Sequence, residues 1–203
     1  MKKLIVLFVA CFGIPQFAWA EADLKAGEAK AVVCAGCHGA EGNSAVPNFP
    51  KLAGQNAKYI AKQLDDIKKG QRKVVEMTGL LDEMNEQDFL NIGAYFESKK
   101  MQLAGSNNDK QQLELGGRVY RAGNHETSVS ACSGCHSPTG QGNSPAGFPR
   151  LSGQHPEYIV NQLKAFRNDI RTNDGDNATM RGVAAHMSDK EIDAVANFIA
   201  GLH

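Results

Sequence analysis

The sequence predicts an all-α protein built from two tandem domains that are related by an internal repeat. Short stretches of sequence recur at an offset of about 100 residues. Apolar residues recur at helical spacing, and no segment shows sustained strand alternation. The same cysteine–histidine pentapeptide stands near the start of each copy.

The repeat is legible residue by residue. Gly42-Asn43-Ser44 recurs as Gly142-Asn143-Ser144, and Phe49-Pro50-Lys51-Leu52-Ala53-Gly54-Gln55 as Phe148-Pro149-Arg150-Leu151-Ser152-Gly153-Gln154. Tyr59-Ile60 and Gln63-Leu64 return as Tyr158-Ile159 and Gln162-Leu163, and Met77-Thr78-Gly79 as Met180-Arg181-Gly182. The offset drifts from 98 to 103. That drift fits two globular domains with loop insertions rather than a solenoid of short strict period. The polar run Gly105 to Asp109 marks the join. The division expected is residues 21–105, a linker at 106–112 and a second domain at 113–203.

Each helix has a local reason to form. Asp23 is placed to cap a first helix that carries Gly27 and runs towards Cys34; its counterpart begins near Asp109 and carries Gly116. A second helix covers residues 56–69, with Ile60, Leu64 and Ile67 on one face. Its copy at 156–168 presents Ile159, Leu163 and Phe166, and Pro156 suits its first turn. The last helix of the first copy begins after Asn85 and aligns Phe89, Ile92, Gly93 and Phe96. Its repeat begins at Ser188, which forms a capping box with Glu191, and aligns Ile192, Val195, Ala196 and Ile199.

Composition excludes several classes. Of 203 residues, 42% are hydrophobic and 22% charged, too apolar for a disordered chain. Lys+Arg and Asp+Glu both number 22, so no basic excess marks a nucleic-acid binder. Met1-Lys2-Lys3, the apolar run Leu4–Ile14 and Ala18-Trp19-Ala20 read as a secretory signal peptide over residues 1–20. The run is too short to span a bilayer, and Phe8-Val9-Ala10-Cys11 is a poor lipidation signal. Without the leader the chain holds 20 basic and 22 acidic residues, a net of −2, shared evenly between the halves. The densest basic cluster, Lys68-Lys69 and Arg72-Lys73, reads as a solvated helix end.

An exported chain with four cysteines ordinarily suggests disulfides. The spacing argues otherwise. Cys34-Ala35-Gly36-Cys37-His38 and Cys132-Ser133-Gly134-Cys135-His136 are both C-x-x-C-H, the pattern of c-type haem attachment. On a helical turn positions i and i+3 share a face. Two thiols so placed can form thioethers with the two vinyl groups of one haem, and the adjoining histidine offers a ring nitrogen to the iron. A thioredoxin-like motif needs a βαβ pattern that is missing here. A zinc site must join pairs 98 residues apart, and local disulfides leave both histidines unexplained. Two covalently bound c-type haems are therefore expected.

The sixth iron ligand separates a carrier from an enzyme, because methionine closes the iron and raises its potential. His125, His155 and His186 have no histidine counterparts in the other copy and read as surface residues; Met101 also lacks a partner. Two methionine pairs survive. Met84 and Met187 precede helix caps, where a packing role explains them. Met77 and Met180 lie in stretches read as loops, each two residues before a glycine, and are the favoured ligands.

With these motifs in order twice, residues 21–203 resemble the class I cytochromes c, and the whole resembles the dihaem cytochrome c4 family of bacteria. The resemblance implies haem 1 on Cys34, Cys37 and His38 with Met77 opposite, and haem 2 on Cys132, Cys135 and His136 with Met180 opposite. It implies that the carbonyls of Pro50 and Pro149 accept from the other nitrogen of each histidine, and that Gly27 and Gly116 let the first and last helices cross closely. It further implies a periplasmic electron carrier, soluble or loosely attached to the membrane surface. The quinol-oxidising complex is its expected donor and a membrane haem–copper oxidase its acceptor. The rival readings are a dihaem peroxidase, which needs one open iron, and a cytochrome subunit of a larger dehydrogenase.

Overall fold

The computed structural model describes residues 21–203; the expected leader and Cys11 lie outside them. The helices in order are α1 Leu24–Ala31, α2 Ala35–His38, α3 Ala57–Lys68, α4 Glu86–Glu97, α5 Lys110–Ala122, α6 Ser133–His136, α7 Pro156–Arg167, α8 Thr179–Ala184 and α9 Asp189–Ala200. Among the described residues there is no strand, only two isolated bridge pairs, Asn124–Val129 and Asn143–Phe148. No helix there is long and apolar enough to cross a membrane.

Side chains start the long helices as the sequence suggests. Asp23 accepts from the amides of Lys25 and Ala26, and Asp109 from those of Gln111 and Gln112. Ser188 and Glu191 form the expected capping box. Asn85 forms one too, with Asp88, whose role the sequence reading did not register. Because α5 starts at Lys110, residues 110–112 are its first turn and not part of a linker.

In each domain the first helix crosses the last. α1 lies on α4, α5 lies on α9, and α3 and α7 pack against the same terminal helices. The crossing is so close that a Cβ on Gly27 would stand 2.1 Å from the Asn91 carbonyl oxygen, and one on Gly116 2.1 Å from that of Ala194. Around each crossing lies a separate apolar core. The first holds Ile60, Leu64, Phe89, Ile92 and Phe96; the second holds Val119, Tyr120, Ile192, Val195 and Ile199. Met84 and Met187 are buried in these cores, as their positions before the caps suggest.

The domains meet through a reciprocal set of hydrogen bonds that sequence reasoning missed. The glutamine ending each F-P-x-L-x-G-Q run reaches into the other run. Gln154 Nε2 donates to the Lys51 carbonyl at 2.9 Å while its Oε1 accepts from the Lys51 amide at 2.8 Å. Gln55 treats Arg150 in the same way, at 2.9 and 2.8 Å. His155 is buried here, its Nε2 3.0 Å from the Ser44 carbonyl oxygen, so it is not the surface residue expected. Residues 102–107 are stitched down as well. The Gln102 amide donates to Asn43, Ala104 to Gly153, Gly105 to Ala200 and Asn107 to Asn197.

Candidate haem sites

Each C-x-x-C-H motif lies on one helical turn. Cys34 ends a 3-10 turn that leads into α2, and Cys132 precedes α6. None of the four motif cysteines forms a disulfide; Cys37 and Cys135 are exposed and Cys34 and Cys132 half-buried. Burial pushes the Cys34 and Cys132 thiols up to about 11, the neighbouring cysteine of each pair adding to the effect. Such thiols are protonated at neutral pH, unlike the low-pKa nucleophile of a redox-active pair. Among the described residues no three of His, Cys, Asp and Glu converge on a metal position, so the structure does not assemble the zinc alternative.

The two histidines are buried, and each is oriented by a proline carbonyl. His38 Nδ1 lies 2.8 Å from the Pro50 oxygen and His136 Nδ1 3.0 Å from the Pro149 oxygen. With Nδ1 as donor, Nε2 is the nitrogen left to ligate. Burial lowers both imidazole pKa values, opposed by the bond to proline; at His38 the charge of Arg72 lowers it further. The neutral ring is the form that binds iron. Phe49 and Phe148 stand edge-on or tilted to the two rings, with centroids 6.3 and 6.1 Å away.

One continuous cavity of about 810 Å³ runs past both motifs, and Met77 and Met180 line it with the cysteines and histidines. Met77 ends a 3-10 turn, Val75–Met77, and packs against the first core. Met180 does not lie in a loop: it occupies the first turn of α8, whose start is held where the Arg181 amide donates to Asp174. The neighbouring glycines give no close backbone contact within the protein. A Cβ on Gly182 would meet nothing within 4 Å, and Gly79 serves a turn at φ +80°. Met187 also borders the cavity, whereas Met84 does not.

The charge lining the cavity fits haem. Lys51, Lys62, Arg72, Lys73, Arg150 and Arg171 line it against only Glu76 and Asp174, a net of +4. Each haem brings two carboxylates, so two haems balance that charge. Arg72, expected at a solvated helix end, instead reaches across the domain boundary to Tyr158, and Lys68 donates to the carbonyls of Asp82 and Met84.

A sequence profile described as "Cytochrome c" matches residues 25–100 and again 113–203. A cytochrome c4 of Azotobacter vinelandii is 49% identical over the full length of both chains. The crystal structure of reduced recombinant cytochrome c4 from Pseudomonas stutzeri superposes with a TM-score of 0.87 at 48% identity, covering 90% of this chain and all of that one. A thiosulfate dehydrogenase electron acceptor of Stutzerimonas stutzeri is 35% identical, over 85% of this chain and 80% of its own.

Proposed function

Because the chain belongs to the cytochrome c family, among the dihaem electron carriers of the cytochrome c4 type, we propose which residues hold its two covalent c-type haems. Cys34, Cys37 and His38 hold the first with Met77 opposite; Cys132, Cys135 and His136 hold the second with Met180 opposite. The observation that carries this reading is the repeated Nδ1 bond to a proline carbonyl inside a cavity that Met77 and Met180 also line. When bound, each haem supplies one-electron Fe(III)/Fe(II) exchange. The chain orients each imidazole through Pro50 or Pro149, keeps it neutral by burial and backs the site with an apolar core. With a histidine and a methionine both serving as ligands in each site, the bound iron would have no open position for a reactant.

The carrier works in the periplasm after removal of residues 1–20, free or loosely held at the membrane surface. It takes electrons from a quinol-oxidising complex and passes them to a haem–copper oxidase. Its domains are residues 21–105 and a second unit from the α5 cap onward. A second donor, a thiosulfate dehydrogenase, is favoured by the relative named as that enzyme's electron acceptor. Stopped-flow mixing of the oxidised protein with each purified donor separates the two.

Optical redox titration of wild type, Met77→Ala and Met180→Ala tests the ligand set. Each substitution is expected to abolish one methionine–iron charge-transfer signature and to lower one potential. If Met84→Ala or Met187→Ala does this instead, the ligand choice is wrong. Cyanide binding to the unmodified oxidised protein within the mixing time points to an open iron and overturns the carrier mechanism.

A further inference from the structure

Each methionine ligand rides on a segment that joins α3 to α4 or α7 to α9, and both segments close on a cation at their base. Lys68, the last residue of α3, donates from Nζ to the Asp82 carbonyl at 2.8 Å and to the Met84 carbonyl. Arg167, the last residue of α7, holds the matching place in the repeat and donates from Nη1 to the Met187 carbonyl at 2.9 Å. Its Nη2 also reaches Asp189, in the first turn of α9, at 2.6 Å. Both cations stand where the negative end of a helix dipole favours them.

Met84 and Met187 are buried and each ends a turn, their amides donating to the Leu81 and Ala184 carbonyls at 3.0 Å. Among the described residues no backbone amide donates to the carbonyl of either methionine. The cation therefore supplies that oxygen's partner within the protein. Between the base and Met77 the bonds are local: the Met77 amide donates to Val74 at 3.1 Å and the Leu80 amide to Met77 at 3.2 Å. These shape the turn without tying it to α3. Met77 stands nine residues after Lys68 and seven before Met84; Met180 stands thirteen after Arg167 and seven before Met187. A segment fixed at both ends samples fewer positions than one loose at an end.

We propose that Lys68 and Arg167 are positioning residues, which lock the base of each methionine segment and so hold the sulfur on its iron. The inference rests on the ligand set given above. Neither side chain lines the haem cavity, so each acts through its segment. The locks are unequal. Lys68 is exposed and water competes for its bonds, whereas the Arg167 side chain is 23% exposed and forks onto two groups.

Imidazole replaces the methionine sulfur at the iron, one neutral donor for another, and its apparent affinity rises with the fraction of time the sulfur is off. The oxidised full chain is titrated in two backgrounds, once far-UV circular dichroism shows wild-type helix content. In Met77→Ala the remaining methionine–iron band belongs to haem 2, and in Met180→Ala to haem 1. Arg167→Gln in the first background should tighten imidazole binding about tenfold, read as loss of that band. Lys68→Gln in the second should tighten it about threefold. Exchanged between backgrounds, neither change has an effect. Arg167→Lys and Lys68→Arg keep a donor at the carbonyl and stay close to their backgrounds. So does Lys69→Gln, which removes a neighbouring charge paired with Asp65 on its own helix. Each lock is overturned if its glutamine variant leaves the affinity of its own haem unchanged, and that of Lys68 also if Lys69→Gln shifts binding as far. The two arms are independent, so one variant failing to mature leaves the other intact. If Met77→Ala or Met180→Ala leaves both methionine bands in place, the ligand set fails instead.

Discussion

Adjacent glycines on α5 offer a sharp test of the helix crossing. A Cβ at Gly116 would meet the Ala194 carbonyl oxygen at 2.1 Å, its carbon at 2.6 Å and Phe198 Cβ at 2.8 Å. A Cβ at Gly117 would meet the tip of Arg121 at 3.0 Å and the edge of the Phe198 ring at 3.3 Å. Both changes to alanine gain the same helix propensity, about 1 kcal/mol. They differ in what must move. Ordinary carbon–oxygen contact is about 3.3 Å, so Gly116→Ala requires α5 and α9 to separate by roughly 1 Å. A gap of that size forfeits a quarter to a half of each dispersion contact across it. Val119, Tyr120, Ile192, Val195 and Ile199 are all below 3% exposed in that core. Overpacking of this kind costs about 3 kcal/mol, a net loss of about 2 kcal/mol after the propensity gain. For a domain of this size that is a fall in Tm of about 10 °C. Gly117→Ala needs only a shift of a flexible side chain and should stay within about 1 kcal/mol of wild type. Thermal melts followed by far-UV circular dichroism on the oxidised protein read the difference. Equal melting temperatures for the two variants would refute the contact argument.

Other outcomes follow from the polar contacts. Gln154→Ala leaves the Lys51 amide and carbonyl without their partner in a buried interface, so urea unfolding should show a loss of about 1–3 kcal/mol. Gln55→Ala should do the same through Arg150. Asp174 holds the start of α8 and hence Met180. Burial raises its carboxyl pKa, but the Arg181 amide and guanidinium outweigh this and hold it below its ordinary value. Its stabilisation is therefore complete above the ordinary carboxylate range and is lost as pH falls through the depressed pKa. Acid titration of the methionine–iron band should show one haem losing its sulfur ligand below that range. Asp174→Asn should weaken the same band already at neutral pH and remove this step.

Local chemistry was legible and long-range packing was not. The caps at Asp23, Asn85, Asp109 and Ser188 act within one helical turn, so their residue types announce them. The same holds for C-x-x-C-H, whose cysteines and histidine fall on one turn by spacing alone. Arg72 and His155 read as surface residues because contacts that draw their side chains inward come from far along the chain: Tyr158 lies 86 residues from Arg72 and Ser44 lies 111 from His155, each in the other domain. Met180 sits on a helix rather than in a loop because Asp174, six residues earlier, folds back to hold that turn.

The amino-acid sequence thus determined the helices, the duplication and the thiol–imidazole pairs, since each depends on neighbours a few bonds apart. Only the tertiary structure decided how the halves face each other and which buried cations share one cavity. Those choices depend on the angle at which two finished cores dock, and short-range propensity carries no information about that angle.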